Sequence, residues 1–183
     1  MTGTASTARL RVAHTGDLDV ATLEAARTLL DESFDGEFTG EDWDHTLGGM
    51  HALAFDGAEL VGHAALVQRR LLLGGRALRT GYVEGLAVRS DRRRGGLGGA
   101  LMAELERLVR GAYELGALST TELAAGFYAG RGWVPWGGRT YALTPRGVVR
   151  TEDEDDAILV LPCAVPIDLT GDLTCDWRDG DLW

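Results

Sequence analysis

A run of arginines and glycines in the middle of the chain has the composition of an anion-binding loop. Arg92, Arg93 and Arg94 precede Gly95 and a glycine-rich stretch, residues 96–99, that leads into an apolar helix pattern. Glycines let the backbone turn tightly, so that successive N–H groups point at one anion. The N-terminus of the following helix adds positive potential, and arginine keeps its charge at physiological pH. The loop suits a pyrophosphate, although solvated arginines beside a glycine-rich helix start explain so short a motif equally well.

Two segments that flank this loop narrow its function. Before it, residues 83–88 form an apolar strand that is broken by Gly85. After it, residues 125–133 place Tyr128 on a helix just ahead of a strand start at Trp133. A dinucleotide loop of the oxidoreductase type is excluded, because that glycine motif follows an early strand and precedes an acid by about 20 residues.

The loop and its flanks resemble the GNAT superfamily of N-acetyltransferases. In that superfamily the Arg-x-x-Gly-x-Gly loop, here Arg93-x-x-Gly96-x-Gly98, holds the CoA pyrophosphate, and the preceding strand hydrogen-bonds the pantetheine. The Phe-Tyr-x-x-x-Gly-aromatic segment that starts here at Phe127 follows a splayed strand. The residues that this resemblance places at acetyl-CoA are Leu86, Ala87, Val88, Arg93, Arg94, Gly95, Gly96, Leu97, Gly98, Gly99 and Ser119.

Segments spread over nearly the whole chain narrow the resemblance further. The stretches similar to the aminoglycoside 2'-N-acetyltransferases of mycobacteria are residues 41–53, 67–71, 79–85, 110–119 and 175–178. For such an enzyme we expect an α/β GNAT fold in a single domain, residues 1–183, with a mixed central sheet splayed in a V and flanked by helices. We also expect acetyl-CoA as cosubstrate, direct transfer to the 2'-amine of aminoglycosides in a ternary complex, antibiotic resistance as the outcome, and a homodimer.

Three residues beside the loop can supply what acetyl transfer to an amine requires. The backbone N–H of Leu86 can donate to the thioester carbonyl as negative charge develops on its oxygen. Tyr128 can protonate the leaving thiolate, or it is a core tyrosine. Glu84 lies two residues before Leu86, so we expect both side chains to face the same side of the sheet. Glu84 can take the proton of the amine, directly or through water, or it is an ordinary surface acid.

Acidic residues are the natural partners of a polycationic substrate. Residues 151–183 carry ten acids and one arginine, whereas residues 89–94 carry four arginines and one aspartate. Each acid alone is explained as a solvated surface residue, but together they suit several ammonium groups. The residues that we expect to line the substrate site are Glu37, Asp42, Glu84, Gly85, Ser119, Glu154, Asp181 and the terminal Trp183 with its carboxylate.

Tryptophans can offer their faces to sugar rings. Trp43, Trp177 and Trp183 are the candidates, and packing in the core or at a dimer seam explains Trp43 equally well. A terminal tryptophan rarely stays exposed. We therefore expect Trp183 to pack, and to hold the terminal carboxylate close to Asp181.

Composition and charge limit the class of protein. The 183 residues are 45% hydrophobic and 25% charged, as in a soluble globular domain with a full core. The net charge of -10 argues against nucleic-acid binding, and no apolar run approaches the roughly 20 residues of a membrane span. Residues 1–10 lack the apolar stretch of a signal peptide, so we expect a cytoplasmic protein. Cys163 and Cys175 are expected to be buried thiols, and no metal site is expected.

Hydrophobic periodicity predicts the elements that position these residues. A helix capped by Asp17 or Asp19 runs to about Phe34, and another begins at Leu97 with its leucines on one face. Gly81 and Gly85 indicate a bulge or the close approach of another group. Short helices are predicted at 41–47 and 122–129, and strands at 8–14, 50–55, 59–73, 76–88, 117–119, 141–143 and 157–161.

Two other functions remain open from the sequence. The acceptor of the acetyl group could be a polyamine, a protein N-terminus or an amino-sugar metabolite, since an acidic groove binds many polycations. A protein that senses CoA or sequesters aminoglycosides without turnover is the third hypothesis. The presence of both Glu84 and Tyr128 argues against it.

Overall fold

The computed structural model describes residues 8–163 and 165–183. Residues 1–7 and Ala164 lie outside the described part. The expectation that residues 1–10 carry no signal peptide therefore falls mostly outside it. The helices are α1 Val20–Ser33, α2 Gly40–Thr46, α3 Leu97–Ala112 and α4 Glu122–Ala129. The strands are β1 Arg9–His14, β2 Met50–Asp56, β3 Glu59–Leu73, β4 Arg76–Val88, β5 Leu115–Ser119, β6 Val134–Pro135, β7 Thr140–Thr144, β8 Gly147–Arg150, β9 Ile158–Pro162 and β10 Leu173–Cys175. Over the described residues, no helix combines the length and the apolar composition that a membrane crossing needs.

The chain divides into two compact units. The first comprises Met1–Val67 and Glu84–Leu105, and the second comprises Gln68–Val83 and Glu106–Trp183. β3, β4 and α3 each contribute residues to both units.

The first unit contains the antiparallel strands β1, β2 and β3, packed with helices α1 and α2. β2 pairs with β1 on one side and with β3 on the other, and the register shifts between Ala54 and Phe55. The carboxylate of Asp19 accepts a hydrogen bond of 2.7 Å from the N–H of Thr22, which caps α1 as predicted. Leu30 of α1 is fully buried in a cluster with Ala87, so α1 covers the end of β4 that leads to the glycine-rich loop.

The second unit contains a mixed sheet. The order of its strands is β6-β9-β5-β4-β3-β10-β7-β8, with β4 parallel to β5, β10 parallel to β7 and the other pairs with a described register antiparallel. The β4–β5 ladder runs from Thr80 and Leu115 to Tyr82 and Ala117 and ends before either strand does. This is the arrangement expected of splayed parallel strands in a mixed α/β sheet.

Most predicted elements agree with the structure, including the bounds of β3, β4 and α4. β5 begins at Leu115 rather than at Ala117. The glycine at 116 suggests a loop, but it is buried where a Cβ would lie 3.0 Å from Leu161 and Val109. β8 and β10 were not predicted, because four exposed residues and three residues between loops carry too little alternation.

Candidate active site

The glycine-rich loop has the backbone of an anion site. Arg94 has φ 63° and Gly96 has φ 82°, so the chain passes twice through the left-handed region that turns neighbouring N–H groups to one side. α3 starts directly afterwards, and the first N–H that bonds back within it is that of Ala100, to the Gly96 carbonyl at 3.0 Å. Helix geometry leaves the N–H groups of the first turn without an intrahelical partner. A Cβ at Gly96 would meet nothing within 4 Å, so the loop leaves room for a bound group. The residues present therefore fit the pyrophosphate of CoA.

The arginines around this loop divide into two sets. Arg89 pairs with Asp91 and Glu59, and Arg92 pairs with Asp56, so both of these charges are largely offset within the protein. Arg93 donates from Nε to the carbonyl of Val88 at 2.9 Å, which closes the turn at the end of β4. The prediction that Arg92 adds charge for a ligand is weakened by its ion pair. Arg93 and Arg94 remain the predicted cationic contacts.

β4 is bent at the residue before the predicted carbonyl donor. Gly85 has φ 53°, and a Cβ there would lie 3.2 Å from both Leu30 and Thr46. The close approach of another group, one of the two features predicted for Gly85, is present. The regular alternation that would put Glu84 and Leu86 on one side of the sheet is interrupted between them, because Gly85 leaves the β region. Both side chains are half-buried, and the proposed base role of Glu84 stays a prediction.

Tyr128 lies at the C-terminal end of α4 and is buried, with 8% of its surface exposed. Burial raises its pKa to about 12, so the phenol keeps its proton at neutral pH. The backbone carbonyl of Tyr128 accepts from the N–H groups of Arg131 and Trp133. A protonated phenol in this setting can act as an acid. The burial equally suits a core tyrosine, so the catalytic role stays a prediction.

A buried carboxylate supports the turn after Tyr128. Glu106, 5% exposed, accepts two hydrogen bonds from the guanidinium of Arg131, at 2.7 and 2.8 Å, and one from Trp133 Nε1 at 3.0 Å. The bidentate pair with Arg131 and the bond from the indole supply the hydrogen bonds that this buried carboxylate needs. Glu106 was not among the residues predicted from the sequence, although an acid next to the apolar face of α3 is a signal of a buried polar contact.

An acidic cluster lies at the end of β5 and in the segments after β8. Ser119 donates from Oγ to the carboxylate of Glu154 at 3.2 Å. Burial raises the pKa of Glu154, and the charges of Asp181 and Asp153 raise it further. The structure therefore brings together three of the predicted substrate residues, namely Ser119, Glu154 and Asp181.

The chain end packs as predicted. Trp183 is 5% exposed and donates from Nε1 to Thr151 Oγ1 at 3.0 Å. Its backbone oxygen accepts from Arg178 Nη2 at 2.8 Å, and Arg178 Nε also donates to the Asp181 carbonyl. Arg178 therefore holds the backbone oxygens of both Asp181 and Trp183, a contact that was not predicted from the sequence.

The remaining predicted substrate residues lie around α2. Asp42 accepts from both the N–H and the hydroxyl of Thr39, so its carboxylate caps the helix in a capping box. Glu37 is exposed in the preceding loop. Trp43 packs against the cluster of Leu29, Leu30 and Ala87, so the structure favours the core interpretation of that tryptophan, whereas Trp177 is 48% exposed.

Comparison with known sequences identifies the fold family. A profile described as an acetyltransferase (GNAT) domain matches residues 17–135. The chain belongs to the GNAT acetyltransferase family. A GNAT enzyme takes its acetyl group from acetyl-CoA, which confirms the predicted enzyme class and cosubstrate, as well as the predicted α/β fold.

Relatives of this GNAT chain include one close sequence and several solved structures. An aminoglycoside 2'-N-acetyltransferase of Mycolicibacterium fortuitum is 51% identical over 177 residues, which cover 94% of this chain and 91% of the relative. The GNAT protein YhbS of Escherichia coli, solved with CoA, has a TM-score of 0.66 at 19% identity and covers 96% of this chain and 93% of its own. A GNAT acetyltransferase of Brucella melitensis, solved with acetyl-CoA, has a TM-score of 0.61 at 15% identity. The match covers 90% of this chain and 94% of the Brucella chain. These two structures confirm the fold.

Proposed function

We propose that this GNAT acetyltransferase transfers acetyl from acetyl-CoA to the 2'-amine of aminoglycosides. The observation that carries the proposal is the 51% identity, over almost the full length of both chains, to an aminoglycoside 2'-N-acetyltransferase. The acidic cluster of Ser119, Glu154 and Asp181 supports it, because an aminoglycoside carries several ammonium groups. Acetylation turns a charged amine into a neutral amide, which would weaken binding of the antibiotic to an anionic target and so produce resistance.

The roles of the residues follow from what the transfer needs. The N-terminus of α3 with Arg93 and Arg94 holds the pyrophosphate, and Ala87 and Val88 align the pantetheine. The N–H of Leu86 polarises the thioester carbonyl, and Glu84 takes the proton of the attacking amine. Tyr128, which its raised pKa keeps protonated at neutral pH, donates a proton to the thiolate. Transfer occurs directly from thioester to amine, without a covalent enzyme intermediate.

The substrate residues act by charge and by shape. Glu37, Glu154, Asp181 and the terminal carboxylate of Trp183 attract ammonium groups. Asp42 contributes charge while it caps α2. Gly85 contributes through its backbone, since Leu30 and Thr46 fill the space beside its Cα. Ser119 contributes its hydroxyl, and the exposed Trp177 can stack on a sugar ring.

We further propose a homodimer that works in the cytoplasm, where acetyl-CoA is made. β8 ends the sheet order of the second unit, and its four residues are exposed, including Val148 at 59% and Val149 at 38%. An exposed strand edge with apolar side chains supports self-association. Size-exclusion chromatography with light scattering tests this part, and a monomer at all accessible concentrations would contradict it.

A second acceptor class is favoured by the same acidic cluster. Carboxylates recognise any polycation, so a polyamine is the alternative substrate that Glu154 and Asp181 support. The identity to the aminoglycoside enzyme makes this the weaker proposal.

One assay separates these functions. Thiol release from acetyl-CoA is measured with aminoglycosides that bear a 2'-amine, with aminoglycosides that bear a 2'-hydroxyl, and with polyamines. We expect turnover with the first set alone, and NMR of the product should show the acetyl group on the 2'-nitrogen. Turnover with polyamines at a higher kcat/KM, or acetylation at another amine, would overturn the proposal.

A further inference from the structure

A continuous chain of hydrogen bonds runs through the interior of the first unit to the bend in β4. His63 on β3 contacts the Gly85 carbonyl through Nδ1 at 2.8 Å, and its Nε2 contacts His51 Nδ1 at 2.9 Å. His51 Nε2 contacts Thr15 Oγ1 at 2.8 Å. Both imidazoles are 0% exposed. Thr15 completes the chain by accepting from the N–H of Gly48 at 2.9 Å.

The protons in this chain have one consistent direction. A carbonyl only accepts, so His63 Nδ1 must donate to Gly85, and in a neutral ring His63 Nε2 must then accept. His51 Nδ1 therefore donates to His63, and His51 Nε2 accepts from the hydroxyl of Thr15. The nearer acceptor for the single Thr15 hydroxyl proton is His51, since the Gly49 carbonyl lies at 3.3 Å. The reverse direction would leave His63 Nδ1 and the Gly85 oxygen facing each other as two acceptors.

The neutral state of both rings agrees with this order. Burial lowers the pKa of His51 and of His63 to about 4. Two neutral rings in an apolar interior do not move a charge to the site at physiological pH. Their effect on the site is through orientation.

The hydrogen-bond chain ends on the peptide group between Gly85 and Leu86. The Gly85 carbonyl and the Leu86 N–H belong to the same planar trans peptide, so they point in opposite directions. Gly85 has φ 53°, a conformation that glycine enters and leaves at little cost, so the backbone by itself does not hold this plane. A hydrogen bond from His63 on one side of the plane sets the direction of the N–H on the other.

We propose that His63, oriented by His51 and Thr15, is a positioning residue that aims the Leu86 N–H at the thioester carbonyl. This inference rests on the proposed function, in which that N–H polarises the carbonyl. The direction of the Leu86 N–H is set by the side chains of His63, His51 and Thr15, which touch no substrate.

The first test is spectroscopic and needs no substrate. Long-range ¹H–¹⁵N spectra of the full chain labelled at histidine nitrogens report which nitrogen carries the proton. We expect His51 and His63 both in the Nδ1–H form, assigned by loss of their signals in His51→Asn and His63→Asn. The Nε2–H form at His63 would overturn the proposal, because that ring could not donate to Gly85.

The second test compares two replacements of His63. Asparagine can place its amide N–H near the position of Nδ1, whereas leucine has no donor. With a good aminoglycoside we expect His63→Leu to lower kcat roughly 10- to 100-fold, since a misdirected donor loses much of its effect. KM for the aminoglycoside and the Kd for CoA should stay within about two-fold. His63→Asn should recover most of the lost kcat.

Substitutions at Thr15 test the other end of the hydrogen-bond chain. Thr15 is half-buried, so a substitution there perturbs the core less. Thr15→Val removes the hydroxyl donor and keeps the shape, and it should lower kcat roughly 3- to 10-fold, whereas Thr15→Ser should retain more of it. Wild-type kcat in both Thr15→Val and His63→Leu would overturn the proposal. The proposed function fails separately, if the wild-type protein itself releases no thiol with any aminoglycoside.

Discussion

The phenol ring of Tyr128 meets the indole of Trp133 edge to face, with the ring centroids 6.2 Å apart. The indole is held in turn by Glu106, which also binds Arg131 through two hydrogen bonds. A second ring, Phe127, lies 5.0 Å from Tyr128 in a similar orientation. Tyr128 is therefore fixed by ring contacts and by its backbone, so loss of its hydroxyl should not displace the ring.

This arrangement makes Tyr128→Phe an interpretable test of acid catalysis. We expect kcat to fall roughly 10- to 1000-fold, the usual contribution of a positioned acid, while the affinity for acetyl-CoA changes little. Steady-state kinetics with calorimetric titration of CoA measure both. Tyr141→Phe removes a phenol from β7, where Arg150 lies over the ring, and serves as the matched control. Undiminished turnover in Tyr128→Phe would mark Tyr128 as a packing residue.

The anion loop can be tested at its left-handed glycine. Gly96→Asp together with Arg93→Ala places a negative charge where the pyrophosphate is expected and removes a positive one. We expect the Kd for CoA to rise at least about ten-fold, because the N–H groups of the helix start would face a carboxylate.

A matched control separates charge from backbone strain at this position. Gly57→Asp makes the same change at φ 62°, in the turn between β2 and β3, where a Cβ also meets nothing within 4 Å. It should cost similar stability in a thermal melt and leave CoA binding intact. Equal CoA affinity in both variants would remove the pyrophosphate from this loop.

The two buried histidines predict a pH dependence of stability. Burial lowers the pKa of His51 and of His63 from 6.5 to about 4. The unfolded chain therefore binds protons near pH 6.5 while the native chain does not, so the free energy of unfolding is full above that pH and falls as the pH drops towards 4. Urea titrations should show a loss on the order of 2–4 kcal/mol between pH 7 and pH 5.

The double variant His51→Asn with His63→Asn is the control for that measurement. Without the imidazoles the difference in bound protons disappears, so the slope of stability against pH should flatten over the same interval. A slope equal to that of the wild type would assign the effect to other groups.

The chain end predicts a specific effect of C-terminal tags. An extension converts the carboxylate of Trp183 into an amide, which removes a negative charge near Asp181 and weakens the contact with Arg178. We expect KM for aminoglycosides to rise, more strongly at low salt where charge contacts are least screened, with little change for acetyl-CoA. The same tag at the N-terminus is the control. An unchanged kcat/KM in the C-terminally tagged enzyme would show that the carboxylate takes no part in substrate binding.

The sequence by itself determined the family and most elements, and it predicted the anion loop, because these rest on local patterns. Glycine and arginine spacing is visible in a dozen residues, and the periodicity of β3, β4 and α4 follows from side-chain alternation or helical repeat. The strand before the predicted anion loop was recognisable for the same reason.

Only the tertiary structure decided which polar residues meet inside the protein. His51, His63 and Gly85 are 12 and 22 residues apart along the chain, and Glu106 lies 27 residues from Trp133. The hydrogen bonds of the two histidines require the correct strand register and the bend at Gly85. A register shift of a single residue would turn each side chain to the opposite face of the sheet. The same holds for Arg178 at the terminal carboxylate, a short-range contact whose direction is fixed by the packing of Trp183.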